Sequence, residues 1–415
     1  MAHSLRRVIP ILALISALTA IAAVSGQSPS PRDTGRIVIL ISFDGWRWDY
    51  LDRANVPHLR ALASRGVRAR GLIPSFPSST FPNHYTIVTG LRPERHGIVA
   101  NSMREPGFPD RFTMSAPTAK TARWWGGEPI WVTAIRHGRR AAAMFWPGSE
   151  APIQDTRPTY WLPFDDGMPN DARVAKVLEW LALPDDRRPS FITLYFSDLD
   201  DAGHDDGPES PRVLEAAARV DASLGRLHEG VARLGLLDRV NFVVVSDHGM
   251  TPLDRSRVIV LDDYLDLSTL DIAEWSPLLA VWPRRGTFDD VYQALSGAHP
   301  HLQMYRRGDI PAHLHYRNHR RIPDVIGIAD EGWLVTSRMR LLGWRLAGFP
   351  GGGHGFDPRN VSMHGLFVAA GPQVRSGLVI DAFENVHVYE VLCMMLGVVP
   401  AENQGDRAIA RAVTR

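Results

Sequence analysis

Five short runs of apolar and β-branched character, at positions 36–42, 141–145, 191–196, 241–246 and 366–370, punctuate this chain without regular polar alternation. That pattern suits strands buried on both faces of a parallel sheet. Between the runs the period lengthens. Val213, Ala217, Val220, Leu224, Leu227, Val231 and Leu234 return at spacings of four and three, which predicts one apolar face of a long helix. Further helices are expected over 57–65, closed by Gly66, over 128–137, stopped by Gly138, and over 171–183 and 386–396. Strands alternating with helices predict an α/β fold, a doubly wound and mostly parallel sheet with helices on both faces. Residues 256–337 are less regular and rich in Arg, His and Pro, which suggests a cap or insertion subdomain; His313, His315 and His319 alternate there with arginines as a solvated surface.

In such sheets ligands collect outside the carboxyl ends of the strands. Asp44, Asp200, Asp247 and His248 all fall just after the end of a predicted strand. Like charges crowd one sheet edge only where a cation compensates them. His204 follows Asp200 by four residues, and His354 sits in Gly-Gly-Gly-His-Gly, where glycines allow close backbone approach. Mixed carboxylate and imidazole ligation suits zinc, whereas an all-oxygen set would suggest Mg²⁺ or Ca²⁺. Each piece has an ordinary alternative as a surface pair or a turn; their joint placement after successive strands is the informative part.

A hydroxyl joins this inventory. Residues 74–85, Pro-Ser-Phe-Pro-Ser-Ser-Thr-Phe-Pro-Asn-His-Tyr, place Thr80 two positions before Pro82, where a helix is expected to begin and run to the Gly90 stop. Taken alone, Thr80 is a helix N-cap. Beside a base or a metal ion it becomes a candidate nucleophile, since free N–H groups and the helix dipole favour an anion there.

Length and charge leave room for local chemistry. The 415 residues can hold one large or two ordinary domains, and 46 Lys and Arg against 45 Asp and Glu give no bulk pull towards nucleic acid. Residues 1–26 carry Arg6, Arg7, an apolar run and small residues at the end, the pattern of a secretory signal peptide, with an uncleaved membrane anchor as the competing reading. Cleavage would remove two arginines and no acids, taking the balance from 46 − 45 to 44 − 45. The remaining 27–415 is the expected enzyme domain, exported to a periplasm or secreted, and with no membrane association after cleavage. Cys393 is the one cysteine, so no disulfide framework exists.

With these residues in view, the chain resembles the nucleotide pyrophosphatase/phosphodiesterase family of the alkaline phosphatase superfamily, in its single-domain bacterial form. The resemblance rests on Ser42-Phe43-Asp44-Gly45-Trp46-Arg47, Thr80 to Tyr85, Thr89-Gly90-Leu91, His96-Gly97-Ile98, Asn101-Ser102-Met103, Asp200 to His204, Ser246 to Met250, His354-Gly355 and Asn385 to Tyr389. It implies two Zn²⁺ per chain, one held by Asp44, Asp247 and His248 and one by Asp200, His204 and His354, with Thr80 between them. It also implies attack by Thr80 on phosphorus, a covalent nucleotidyl-threonine, and Asn101 on a non-bridging phosphoryl oxygen.

Phe81 matches a position that stacks on the nucleobase in nucleotide-cleaving relatives. Tyr160 is the candidate for the opposite face, and Tyr195 for a contact near phosphate or sugar. Small-molecule nucleotides are the expected substrates, hydrolysed to nucleoside 5′-monophosphates, with no stable nucleic-acid partner. Rival readings are a choline-type or lysophospholipid phosphodiesterase or a phosphomonoesterase on the same fold, and a binding protein without activity.

Overall fold

Every side chain of the strand Ile37–Phe43 is buried, and its alternation splits cleanly between two cores. Ile37, Ile39, Ile41 and Phe43 pack into one, Val38 and Leu40 into the other. The sheet is therefore covered on both faces, the reason its strands lack polar alternation. The computed structural model describes residues 35–415, and the leader expected at 1–26 lies outside them.

In chain order the central strands are β1 (Ile37–Phe43), β2 (Val67–Ala69), β3 (Ala141–Met144), β4 (Tyr160–Trp161), β5 (Phe191–Phe196), β6 (Val240–Val245), β7 (Phe367–Ala370) and β8 (Leu378–Ile380). They lie side by side as β8-β2-β7-β6-β1-β5-β3-β4. All neighbouring pairs are parallel except those of β7, which runs antiparallel to both β6 and β2. Ser42 is in register with Tyr195 on one side and Val245 on the other, so β1, β5 and β6 end level. The residues that follow these ends share one edge.

Helices cover both faces. α1 (Pro57–Arg65) starts on a proline, and its open N-terminus is closed by Asp221, whose carboxylate accepts the N–H of His58 at 3.2 Å and of Leu59 at 2.7 Å. α2 (Thr80–Thr89) buries Tyr85, Ile87 and Val88 in one core. Later in sequence, α3 (Asp198–Asp206) leads into α4 (Pro211–Arg233), which buries Val213, Ala217, Val220, Leu224, Leu227 and Val231 in the other core. Each such valine and leucine contributes about 1.5–3 kcal/mol on burial. Leu234 caps α4 and is exposed, so the apolar face ends one step earlier than its spacing predicts. Cys393 is buried in the helix Val388–Leu396.

A separate antiparallel sheet orders Leu270–Glu274, Leu278–Pro283, Val325–Ala329 and Leu302–Arg306, with its own core around Leu279, Val281 and Leu295. Its regularity was hidden by strands of five or six residues mixed with basic turns. Nor are its histidines all solvated: His313 pairs with Asp357 at 2.9 Å and His319 is half-buried, leaving His315 exposed. No described helix is long and apolar enough to cross a membrane.

Candidate active site

Six acidic and imidazole side chains meet at the level strand ends. Asp44 directly follows β1, and Asp247 and His248 follow β6. Gly45 takes a positive φ of 69°, and a Cβ there would stand 2.8 Å from the Cα of Asp200, so glycine lets the β1 turn press against α3. Asp200 and His204 lie one turn apart on α3, a helix that the spacing of apolar residues does not announce because Asp198–Asp206 is mostly acidic. His354 arrives from the glycine run. A Cβ on Gly352 would lie 2.5 Å from the carbonyl oxygen of Gly203, so the run lies flush on α3.

Asp44, Asp247 and His248 bring one potential ligand atom each within 4.8 Å of one another, and Asp200, His204 and His354 do the same. The two groups adjoin, since the rings of His248 and His354 stack with centroids 3.6 Å apart. His248 Nε2 is 3.1 Å from Asp247 and 3.5 Å from Asp44; His204 Nε2 is 3.5 Å and His354 Nε2 3.7 Å from Asp200.

The hydrogen bonds around the rings fix what faces inward. Each Nδ1 meets a backbone carbonyl: His204 that of Gly352 at 3.0 Å, His248 that of Gly249 at 2.9 Å and His354 that of Ser78 at 3.0 Å. A carbonyl can only accept, so each Nδ1 carries the proton and each Nε2 offers a lone pair. The Nε2 atoms of His204 and His354 then face each other at 3.1 Å, an arrangement that repels unless a positive charge separates them. Asp44 Oδ1, Asp200 Oδ1 and Asp247 Oδ2 are buried without hydrogen-bond partners. Burial, with Asp247 and Asp200 close by, pushes the Asp44 carboxyl well above the usual carboxylate range, and burial followed by His248 and His204 holds His354 well below its usual value. Orphaned oxygens and inward lone pairs are what a pair of divalent cations would satisfy, and the donor set of one or two imidazoles with carboxylates fits zinc.

The hydroxyl of Thr80 sits 3.3 Å from His248 Nε2. Thr80 is the first residue of α2 rather than its cap; Ser79 takes the extended N-cap position, and Pro82 is third, still in the turn where a missing N–H costs nothing. His84, one turn on, ties this helix to the cluster through the Thr80 carbonyl at 2.9 Å, Ser42 at 2.8 Å and Asp247 at 3.3 Å. Asn101 accepts the N–H of Phe81 through Oδ1 at 2.9 Å, which leaves its NH₂ group for another acceptor. Tyr195 donates its hydroxyl to Asp44 Oδ2 at 2.7 Å.

A model of the family described as type I phosphodiesterase / nucleotide pyrophosphatase matches residues 38–357 of this chain. The chain belongs to that family of hydrolases. Among its relatives, human ectonucleotide pyrophosphatase/phosphodiesterase family member 5 is 36% identical over 89% of this chain and 76% of that protein. A venom phosphodiesterase of Crotalus durissus collilineatus is 36% identical over 89% of this chain but only 45% of its own length. The solved structure of murine ectonucleotide pyrophosphatase / phosphodiesterase 5, in an inactive form with a threonine replaced by alanine and in complex with AMP, superposes with a TM-score of 0.86 at 36% identity, covering 91% of this chain and all 100% of that one. The fold is thus the alkaline-phosphatase-like α/β fold of the phosphodiesterase family.

In this member of the phosphodiesterase family the cluster opens on two clefts that share no lining residue. The first, about 320 Å³, is lined by Thr80, Phe81, Trp125, Phe164, Tyr195 and Asp200 among others. Phe81 rests edge-on against Phe112 at 5.8 Å and still contributes to the cleft wall. Tyr160 does not: its hydroxyl donates to the Arg187 carbonyl at 3.0 Å and its ring stacks on Trp180, packing on the core. Phe164, four residues on and 49% exposed, lines the cleft instead. The sequence offered several aromatics in one loop and no register to choose among them.

The second cleft, about 340 Å³, is lined by His204, His354, Asn101, Glu274, Trp275 and Trp344 among others. Burial pushes the Glu274 carboxyl up to about 7, against the N–H groups of Ser102 and Trp275 and the nearby Arg340 and Arg111. The folded-state value exceeds the usual 4.5, so the folded chain holds this proton more tightly and loses stability as pH rises from 4.5 through about 7. A Glu274→Gln chain is expected to show a flatter melting-temperature profile across that window and to melt higher than the natural chain above it.

Proposed function

We propose that this chain hydrolyses phosphodiester and pyrophosphate bonds of 5′-nucleotides, releasing nucleoside 5′-monophosphates through a covalent nucleotidyl-threonine on Thr80. The observation that carries the reading is the Thr80 hydroxyl at 3.3 Å from His248, at the join of two clusters in which Asp44, Asp200 and Asp247 each keep one buried oxygen without a hydrogen-bond partner. Asp44, Asp247 and His248 would hold one zinc ion and Asp200, His204 and His354 a second. Bound there, such ions supply the charge that acidifies a hydroxyl and offsets negative charge building on phosphoryl oxygens.

Thr80, having lost its proton, attacks phosphorus; the bond to the leaving oxygen breaks as the threonyl–phosphorus bond forms. Asn101 points its NH₂ group at a non-bridging oxygen, its carbonyl being fixed by the Phe81 N–H. The base lies in the first cleft with Phe81 and Phe164 among its walls, where stacking contributes roughly 1–3 kcal/mol. Water then cleaves the threonyl ester. The AMP complex of the murine relative, and its inactive form with a threonine replaced by alanine, support a nucleotide ligand and a threonine nucleophile. Relatives named as ectoenzymes and venom enzymes likewise support export.

Rates on p-nitrophenyl-TMP, p-nitrophenyl phosphate and p-nitrophenyl phosphocholine test the reading. The nucleotide ester is expected to turn over fastest; faster cleavage of the choline ester or the monoester overturns it. Tyr195 orients Asp44, and Tyr195→Phe is expected to weaken zinc retention about 10–100-fold in chelator competition.

A further inference from the structure

Asn101 is joined to the helix of the nucleophile by its Oδ1, which accepts the Phe81 N–H at 2.9 Å, and a side-chain amide on a loop keeps one direction only if its backbone is held as well. That support comes from outside the central sheet. The chain runs from Asn101 straight into a hairpin, Ser102–Arg104 paired antiparallel with Arg111–Thr113, whose Met103 and Phe112 are buried. Against the hairpin lies Leu270–Glu274, the edge strand of the separate antiparallel sheet.

Contacts from that strand reach both arms of the hairpin. Asp271 takes Arg104 at 2.7 Å and also Arg111, one arginine from each arm, and the Ile272 carbonyl accepts from Arg111 at 3.1 Å. Glu274 accepts the Ser102 N–H at 3.2 Å, in the peptide that joins Ser102 to Asn101. In an unbroken strand Asp271 and Glu274, three positions apart, would point to opposite faces. They reach one hairpin because the register shifts between them: Ile272 stands opposite Val281 but Glu274 opposite Ala280, which makes Ala273 an extra residue. Such a bulge re-aims the side chain beside it, a device found next to active sites. The other Glu274 oxygen accepts the Trp275 N–H at 3.3 Å, so this carboxyl fixes a backbone path.

We propose that Glu274 is a positioning residue for the phosphoryl contact of Asn101, and that the bulged edge strand carrying it clasps the Asn101 loop into the site. Glu274 holds the Ser102 N–H, the Phe81 N–H holds the Asn101 carbonyl, and between these two anchors the NH₂ group keeps one direction. Releasing the first anchor leaves the amide attached to α2 but free to tilt. The donor then meets the non-bridging oxygen at a poorer angle as charge builds there. The inference rests on the role given to Asn101 in the nucleotide-hydrolysing reading above and adds how that donor is kept in place.

The test is a double-substitution cycle on p-nitrophenyl-TMP, with kcat and KM measured separately. Glu274→Met keeps the bulk and removes the acceptor; it is expected to lower kcat about tenfold and to change KM by less than about twofold, the split of an interaction made in the transition state. Glu274→Gln keeps an acceptor and is expected to hold kcat within about threefold of the natural chain. With Asn101→Ala already present, Glu274→Met is expected to cost less than about a further twofold, because the donor it aims is gone. Asp271→Asn loosens the hairpin from its other end; it is expected to repeat the pattern at about threefold and replaces Glu274→Met in the cycle if that chain melts below the assay temperature. Equal loss with and without Asn101, or no loss in either background, overturns the clasp, while turnover of the ester by the natural chain keeps the nucleotide reading. Failure of the natural chain to cleave the nucleotide ester removes both.

Discussion

Thr80→Ala is expected to lower turnover of a p-nitrophenyl nucleotide by at least about a thousandfold while leaving melting temperature and bound zinc unchanged. The magnitude follows from what the hydroxyl is proposed to do: it makes the bond to phosphorus, and among the described residues no other side-chain hydroxyl hydrogen-bonds to the His248 ring. Thr80 is partly exposed and the first residue of α2, so its methyl and hydroxyl support neither core. Removing them costs the scaffold little. Thr80→Ser, which keeps the oxygen, is expected to retain much of the rate. Substrate left in excess over the Thr80→Ala chain should yield no labelled protein after acid quench, whereas the natural chain should trap a nucleotidyl ester. Turnover by Thr80→Ala within tenfold of the natural chain would mean that a water molecule is the nucleophile.

His354→Ala is expected to reduce bound zinc from two ions per chain towards one and to lower turnover about a hundredfold, the upper end of the losses caused by removing a partner that only orients a metal ligand. His354 contributes an inward lone pair, holds it there through the Ser78 carbonyl at 3.0 Å, and stacks on His248. Alanine removes the repulsion with His204 as well as the ligand, so the metal-free variant should melt no lower than metal-free natural protein. Atomic absorption on dialysed protein reads the first effect and calorimetry with and without chelator the second. Two ions retained in the variant would move His354 out of the proposed ligand set.

Five strands of the central sheet, β1, β3, β5, β6 and β7, were legible because strands buried on both faces have no polar positions to confuse the pattern, whereas the short β2, β4 and β8 carry no such run and were not predicted. The ends of β1, β5 and β6 placed Asp44 and Asp247 directly, since being level in the sheet follows from parallel register. What single-sequence patterns could not convey was anything set by contacts between distant segments. The acidic helix α3 has little apolar face and is held by the glycine run at 351–353. Asp221 closes α1 from another helix altogether. Tyr160 stands in the two-residue strand β4 and Phe164 in the loop after it, and packing on Trp180 decides which one leaves the cleft.

The place of β7 has a consequence for how the molecule comes into being. Phe367–Ala370 is inserted between β6 and β2, antiparallel to both, although it is made long after either of them. A chain emerging amino end first can pair β1 with β5 and β6, yet it must keep a gap open beside β6 until that late segment arrives, and His354 arrives only just ahead of it. A protease that clips the polypeptide shortly before position 354 therefore leaves a fragment that keeps Asp44, Asp247 and His248 but lacks His354 from the second group, with an unfinished sheet.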